Sequence, residues 1–210
     1  MKADPIPSAR RGYDSSARDR ATQERKERCI ALFAEKLATD WYRDITLEWI
    51  AEEAGITVPT LLRYFGSKEG LLEQATAWQA AMHVTMRTAP SGDISANIAG
   101  IVESYEQLGD YSLRMLAQEE RFEVIRIYTD TGRQGHRQLV ETGFAPFLAN
   151  LGPDERTHML DELVTALDLY VWKVLRRDRG RSAADVCDFM EMAVNAIIAR
   201  RSRPAFDQGD

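Results

Sequence analysis

The residues best suited to chemistry form one short surface between Val58 and Tyr64. This surface mixes small, apolar, basic and aromatic side chains: Val58, Pro59, Thr60, Leu62, Arg63 and Tyr64. Such a mixture suits a helix that lies in a DNA major groove and contacts base edges there. Directly downstream, Ser67 can cap the next helix and place Lys68 at its first position. An ammonium group beside the N–H groups of a helix start makes a phosphate site, which the position of Lys68 one turn from Tyr64 and Thr60 favours over a solvated surface lysine.

Two short helices and a sharp turn must position this surface. The first helix has four apolar residues at the spacing of one helix face: Leu47, Ile50, Ala51 and Ala54. Gly55 supplies the left-handed backbone that ends it. The second helix begins with Thr57 as a side-chain N-cap, has Pro59 in its first turn and ends at Gly66. This second helix contributes mainly two residues to the core, Leu61 and Phe65. The segment predicts a helix-turn-helix, although such corners also occur in all-α proteins that do not bind DNA.

The run G-I-T-V-P-T-L-L-R-Y-F-G-S-K-E-G-L-L resembles the signature of the tetracycline-repressor (TetR) family of bacterial transcription factors. The resemblance extends from about Cys29 to Leu72. It implies an N-terminal helix-turn-helix followed by a larger helical domain for ligand binding and dimerisation. It also implies two kinds of DNA contact. The residues expected to hold phosphates are Thr57, Thr60, Tyr64 and Lys68, and those expected to face base edges are Val58, Pro59 and Arg63.

Two positions complete the expected DNA contacts. Thr46 opens the segment and is included in the contact set. Leu62 departs from the family pattern, which commonly has a tyrosine at this position. Because a leucine side chain cannot hydrogen-bond a phosphate, we expect Leu62 to make no such contact, or to touch a sugar or a thymine methyl group instead.

The charge of the chain is unevenly distributed. The net charge is −6, yet residues 1–70 carry twelve basic and twelve acidic side chains, so the whole excess lies in residues 71–210. The first 30 residues hold eight basic and five acidic groups. Since a local patch governs the encounter with DNA, the acidic remainder does not exclude DNA binding. We expect sequence-specific binding that weakens with salt.

Other functional classes find little support in the sequence. There is no membrane-length apolar run and no signal-peptide pattern, so a cytoplasmic protein without membrane contact is expected. Two distant cysteines suggest buried reduced thiols, with a redox switch as the less favoured alternative, and three scattered histidines give no helical metal pair. We expect no cofactor, no metal and, since no catalytic motif is present, no enzyme activity. A helical protein-interaction adaptor remains the alternative.

The helical periodicity continues to the end of the chain without strand alternation, which predicts an all-α fold of about nine helices. Four regions are expected: a disordered basic arm at 1–16, a helix-turn-helix domain at 17–66, a helical effector-binding and dimerisation domain at 67–203 and a disordered tail at 204–210. In the arm, Arg10 and Arg11 could enter a minor groove or simply be solvated. Past the linking helix at 67–86, helices are predicted at 94–108, 112–119, 122–149, 153–179 and from 183 onward.

The last two predicted helices carry long apolar stripes. In the resembled family, the corresponding helices form a four-helix bundle with a second subunit, which would place two recognition helices in successive major grooves. We therefore expect a homodimer with this interface: Leu163, Leu167, Val171, Val174, Val186, Met190, Val194 and Ile197.

Aromatic and methionine residues in the middle of the chain could line a cavity for an apolar effector. The candidates are Trp78, Met82, Met86, Tyr105, Tyr111, Met115, Tyr128 and Phe144. Most residues of these types are ordinary core, so the sequence leaves both interpretations open. The resemblance implies a transcriptional regulator, and a repressor because repression is the commonest activity in this family. It also implies that a small molecule releases the protein from DNA by favouring a different subunit arrangement.

Overall fold

The computed structural model describes residues 15–86 and 89–201, with side chains at 17–79 and 89–200. Within these ranges the chain is built from α-helices and contains no strand, which confirms the all-α prediction. The helices are α1 (Ser15–Thr39), α2 (Leu47–Glu53), α3 (Val58–Phe65), α4 (Lys68–Met86), α5 (Ile94–Leu116), α6 (Glu123–Gly143), α7 (Ala145–Leu148), α8 (Pro153–Ala166), α9 (Leu169–Lys173) and α10 (Ala183–Arg201). A 3₁₀ turn spans Tyr42–Asp44 and a π-helical turn spans Val174–Asp178. The expected arm and tail lie outside the described residues, apart from the start of α1.

The described part of the chain has two apolar cores. The first joins α1 to α4 through fully buried side chains such as Phe33, Leu37, Leu61 and Leu72. It also includes Tyr111, Met115 and Ile125, which belong to α5 and α6. The helices on either side of the helix-turn-helix, α1 and α4, therefore pack directly against α5 and α6. The second core lies among α5, α6, α8, α9 and α10, around the fully buried Trp172.

The prediction of two helices at 94–108 and 112–119 is wrong, because α5 runs without a break from Ile94 to Leu116. Gly109, which lies between the two predicted helices, is in the middle of α5. A Cβ atom there would lie 2.5 Å from Trp172 Cη2. The glycine thus allows α9 to approach α5 closely. The need for a glycine at this position comes from Trp172, which is far away in sequence.

The prediction of one helix from 153 to 179 is also wrong. The chain leaves α8 after Ala166 and restarts at Asp168, whose side chain accepts a hydrogen bond of 2.8 Å from Tyr170 N–H. An aspartate in this position is a good N-cap and starts a new helix. The segment then passes from α9 into the π-helical turn before Gly180, at φ +66°, ends it.

The predicted helix at 122–149 is divided near its end. Phe144 lies between α6 and α7, outside the helical conformation, and Pro146 follows in the first turn of α7. Gly143 is required by close packing, since a Cβ atom there would lie 2.4 Å from Asn97 Oδ1. The last helix begins with a capping box: Ser182 and Asp185 each accept a hydrogen bond from the other's backbone N–H, at 3.1 and 2.9 Å.

A salt bridge fixes the π-helical turn to α5. Arg176 donates two hydrogen bonds to the Glu106 carboxylate, at 2.8 and 2.7 Å, and Trp172 Nε1 donates a third at 2.7 Å. These donors, chiefly Arg176, hold the pKa of Glu106 below its ordinary value of 4.5. Arg177 makes a second bidentate pair with Asp110.

The depressed pKa of Glu106 predicts an acid-sensitive contribution to stability. The ionised carboxylate favours the folded state above the ordinary pKa of 4.5, and this contribution is lost as the pH falls through the lower folded-state value. Glu106→Gln should therefore be destabilising at pH 7 and should flatten the acid limb of the stability curve. Urea unfolding from pH 7 down to pH 3 checks this; an acid limb of unchanged steepness would contradict it.

Candidate nucleic-acid interface

The corner between α2 and α3 has the expected helix-turn-helix geometry. Thr46 caps α2 by accepting a hydrogen bond of 3.2 Å from Trp49 N–H. Gly55 adopts φ +68°, as the sharp turn requires, and Gly66 adopts φ +77° at the end of α3. Leu61 and Phe65 are buried and hold α3 against the first core. The rest of α3 is left for other contacts.

The outer surface of α3 carries the predicted contact residues. Pro59, Leu62 and Arg63 are exposed, and Leu62 presents 39% of its surface to solvent. Val58, Thr60 and Tyr64 are half-buried at its edges. The structure therefore brings all six residues onto one short helix. No other part of the molecule covers this surface in the described chain.

Two cations flank the Tyr64 ring. The Arg63 guanidinium lies 5.7 Å from the ring centroid, and Lys26 Nζ of α1 lies 5.6 Å from it. Cation–π contacts of this kind orient exposed side chains weakly. Lys26 was not among the sequence-predicted site residues, because it is separated from Tyr64 by most of α1 and all of α2. The basic character of the first 30 residues was the only sequence signal for it.

The predicted side-chain cap of α3 is wrong. Thr57 occupies the N-cap position, but its side chain makes no capping hydrogen bond. Its hydroxyl instead pairs with the Thr60 hydroxyl, with 3.1 Å between the two oxygens. Thr57 is exposed and Thr60 half-buried, so the pair remains accessible from solvent.

Lys68 lies at the first position of α4, as predicted, and Ser67 caps this helix by accepting a 3.1 Å hydrogen bond from Gly70 N–H. The ammonium group does not point freely into solvent. It donates to the Tyr42 carbonyl oxygen and lies 4.3 Å from the centroid of the Tyr42 ring. Partial burial lowers the pKa of Lys68 below its ordinary value. The sequence reasoning missed Tyr42, which no motif distinguishes from a core aromatic residue.

Those predicted effector-binding residues whose side chains the structure describes do not meet in one place. Tyr111 and Met115 are buried in the first core, with Tyr128 at its edge, whereas Tyr105 and Phe144 belong to the second core. Trp78 is 44% exposed. The side chains of two further candidates, Met82 and Met86, lie outside the described residues. Two open clefts, one beside Trp41 and Arg114 and one between α5 and α10, are lined by none of the eight.

The predicted dimer residues divide into two groups. The larger group is buried within the chain's own second core: Leu163, Leu167, Val186, Met190 and Val194. The others are half-buried or exposed and could reach a second subunit: Val171, Val174 and Ile197. Four large apolar side chains stand exposed on the outer side of the last helices: Tyr170 (54%), Val174 (45%), Phe189 (40%) and Met192 (61%).

Two further observations bear on other functional classes. No helix in the described ranges is both long enough and apolar enough to cross a membrane. Among the same residues, no group of three or more histidine, cysteine, aspartate or glutamate side chains could hold a metal ion. Cys29 is buried and Cys187 half-buried, and both are free thiols.

Comparison with solved structures places the fold. A TetR-family transcriptional regulator from Streptomyces coelicolor superimposes with a TM-score of 0.67 at 15% identity, covering 86% of this chain and 84% of that one. A protein described as a transcriptional regulator from Pseudomonas aeruginosa PAO1 gives 0.66 at 20% identity, with coverage of 86% and 95%. A protein described as a TetR-family regulator from a Rhodococcus species gives 0.65 at 16%, with coverage of 83% and 99%. At these identities the likeness concerns the fold alone.

Comparison of the sequence with family models identifies the DNA-binding segment. Residues 41–75 match the model described as bacterial regulatory proteins of the tetR family. No curated protein matches the sequence at a significant level. The matched residues contain α2, α3, the turn between them and the start of α4, which are the elements that carry the interface described above. The resemblance is thereby confirmed, and this chain carries the helix-turn-helix domain of the bacterial tetR family of regulatory proteins.

Proposed function

We propose that this protein is a transcriptional regulator, and by base rate a repressor, that binds a palindromic operator as a homodimer and leaves it when a small, largely apolar effector binds. The observation that carries the proposal is the exposed outer surface of α3, held by two buried residues and ending in Arg63 beside Tyr64. The family match of residues 41–75 supports DNA as its partner. Catalysis has no part in this proposal.

The dimer part of the proposal rests on geometry. A palindromic site presents two half-sites about 34–36 Å apart, and a two-fold pair of subunits can place one α3 in each. The exposed side chains of Tyr170, Val174, Phe189 and Met192 provide a surface that a second copy would cover. Tyr170 and Val174 lie one helical turn apart, as do Phe189 and Met192, and contiguous exposed apolar side chains typically mark protein interfaces. We assign the interface to these four residues, with Val171 and Ile197 beside them.

The effector part rests on the resemblance and on population shift. An effector can release DNA only to the extent that it binds the released arrangement more tightly than the DNA-bound one. The first core connects α5 and α6 directly to α1 and α4. A ligand that displaces α5 or α6 would therefore shift the helix-turn-helix as well.

Replacing Arg63 with alanine tests the DNA contact. Arg63 is exposed and belongs to neither core, so its removal should leave the fold intact. Loss of a base contact costs about 1–3 kcal/mol, so the affinity for DNA from upstream of the gene should fall roughly tenfold to a hundredfold. Fluorescence anisotropy with labelled DNA measures this. Arg137→Ala, which removes a half-buried arginine of α6 that pairs with Asp161, is the control and should bind as the wild type does.

The adaptor alternative makes a different prediction for the same titration. If the corner binds protein instead of DNA, the wild type will show no saturable binding to its upstream DNA at micromolar concentration. Binding that Arg63→Ala does not weaken would also count against the assigned surface. A second titration at raised salt should show weaker binding, because phosphate contacts release counterions.

A further inference from the structure

Tyr42 joins the start of α4 to the turn between α5 and α6. Its backbone N–H donates to Gln118 Oε1 at 2.8 Å, and its carbonyl oxygen accepts a hydrogen bond from Lys68 Nζ. Its hydroxyl donates to Glu69 Oε1 at 3.1 Å. A single residue of the helix-turn-helix domain thus contacts both the N-terminus of α4 and the second half of the chain.

This junction is buried and fully packed. Tyr42 is 3% exposed and Gln118 is 2% exposed. The Tyr42 ring stands edge-on to Phe122, with 4.8 Å between the centroids. Gln118 Nε2 donates to the Arg114 carbonyl oxygen at 2.9 Å, so both ends of the amide are engaged. Since buried polar groups are costly to leave without a partner, a displacement of Gln118 must move Tyr42 with it.

The Lys68 ammonium is the group that such a movement would displace. It is the predicted phosphate ligand at the start of α4, and an ammonium has three N–H donors. The hydrogen bond to Tyr42 uses one donor and leaves capacity for a phosphate oxygen. A long lysine side chain that is already held in place loses less conformational freedom when it binds DNA.

We propose that Gln118 is a positioning residue for DNA binding, which acts through Tyr42 to hold Lys68 where it meets a DNA phosphate. The affinity for DNA then depends on the position of the turn between α5 and α6. This inference rests on the proposed DNA-binding function. Through this contact, the turn between α5 and α6 would control the affinity of the helix-turn-helix domain for DNA.

A double-mutant cycle on the full chain tests the proposal. Gln118→Met keeps the side-chain volume but removes the acceptor, and should weaken DNA binding roughly fivefold to tenfold. Lys68→Met should weaken it as well and lower the salt slope by about one. If Gln118 acts through Lys68, the double variant will bind as Lys68→Met does. Fully additive losses, or an unchanged affinity for Gln118→Met, would overturn the proposal.

Two further variants separate positioning from general destabilisation. Leu148→Ala removes a buried side chain of the second core, so it destabilises the fold without touching Tyr42 and should bind DNA with nearly wild-type affinity. Gln138→Met changes an exposed glutamine of α6 and should have no effect. If Leu148→Ala loses as much affinity as Gln118→Met, general destabilisation and not the hydrogen bond to Tyr42 is the cause.

A measurement without DNA distinguishes failure of this inference from failure of the proposed function. The Tyr42 ring lies close to Lys68 Nζ, so ring current should shift the Lys68 ε-methylene protons upfield in the NMR spectrum of the free wild type. Gln118→Met should move this resonance toward its random-coil chemical shift, and Gln138→Met should not. If the Lys68 ε-methylene resonance of the wild type lies at its random-coil chemical shift, the inference is overturned. Absence of DNA binding with the expected shifts instead overturns the proposed function.

Discussion

Replacing Gly109 with alanine is expected to lower the free energy of unfolding by roughly 1–2 kcal/mol. The new Cβ atom would lie 2.5 and 2.6 Å from two atoms of the Trp172 ring, far inside contact distance. The ring cannot move aside easily, because it is fully buried, is hydrogen-bonded through Nε1 to Glu106 and is covered by Arg177 at 4.5 Å. Overpacking of this kind costs about 1–3 kcal/mol, which exceeds the gain from removing a glycine from a helix.

Gly132 provides a matched control in another long helix. It lies inside α6, and a Cβ atom there would meet nothing within 4 Å. Gly132→Ala should therefore stabilise the protein by about 0.5–1 kcal/mol, because only the backbone entropy term operates. Urea denaturation at pH 7 compares the two variants directly. Stabilisation of both would show that α9 can retreat from α5.

The helix-turn-helix could be predicted because its signals are local. Gly55 and Gly66 mark the two left-handed positions, and Pro59 lies in the first turn of α3, as its missing N–H allows. The capping box at Ser182 is similarly contained within one helical turn. In such places the sequence neighbours are also the structural neighbours, so spacing alone identifies the element.

The misplaced helix boundaries have causes that spacing does not reveal. Gly109 lies in the gap predicted within α5, and the close approach of Trp172, which is distant in sequence, accounts for it. The apolar stripe from Leu160 to Val174 suggested one helix, whereas the Asp168 side chain starts a second one. Hydrophobic periodicity persists across such a break because apolar residues of both helices, α8 and α9, are buried in the second core.

Only part of the candidate site could be predicted, because some of its contacts join residues that are distant in sequence. The residues of α3 were identifiable from their types, whereas Lys26 and Tyr42 reach the site only through tertiary packing. The effector candidates illustrate the opposite error. Tyr111 and Tyr105 are both buried aromatic residues of α5, yet they belong to different cores. Composition identifies core aromatics but does not determine which of them share a neighbourhood.

Replacing Met192 with glutamate is expected to convert the proposed dimer into a monomer and to remove high-affinity operator binding. Met192 is 61% exposed on α10, near Phe189, on the surface assigned to the second subunit. In a two-fold interface each substitution occurs twice, so two buried side chains are lost and two carboxylates must be desolvated. At about 1.5–3 kcal/mol for each apolar side chain, dimer dissociation should increase by roughly a hundredfold or more. Sedimentation equilibrium and DNA anisotropy measure the two effects.

Ile127 is the matched control for Met192. It is 58% exposed, but it belongs to α6 and lies outside the surface formed by α9 and α10. Ile127→Glu introduces the same charge at a similarly exposed apolar position and should leave both the mass in solution and the DNA affinity unchanged. If Ile127→Glu dissociates the dimer and Met192→Glu does not, the subunits meet through α6. If Met192→Glu yields a monomer that still binds the operator at wild-type affinity, one α3 is sufficient and the two-fold model of recognition is wrong.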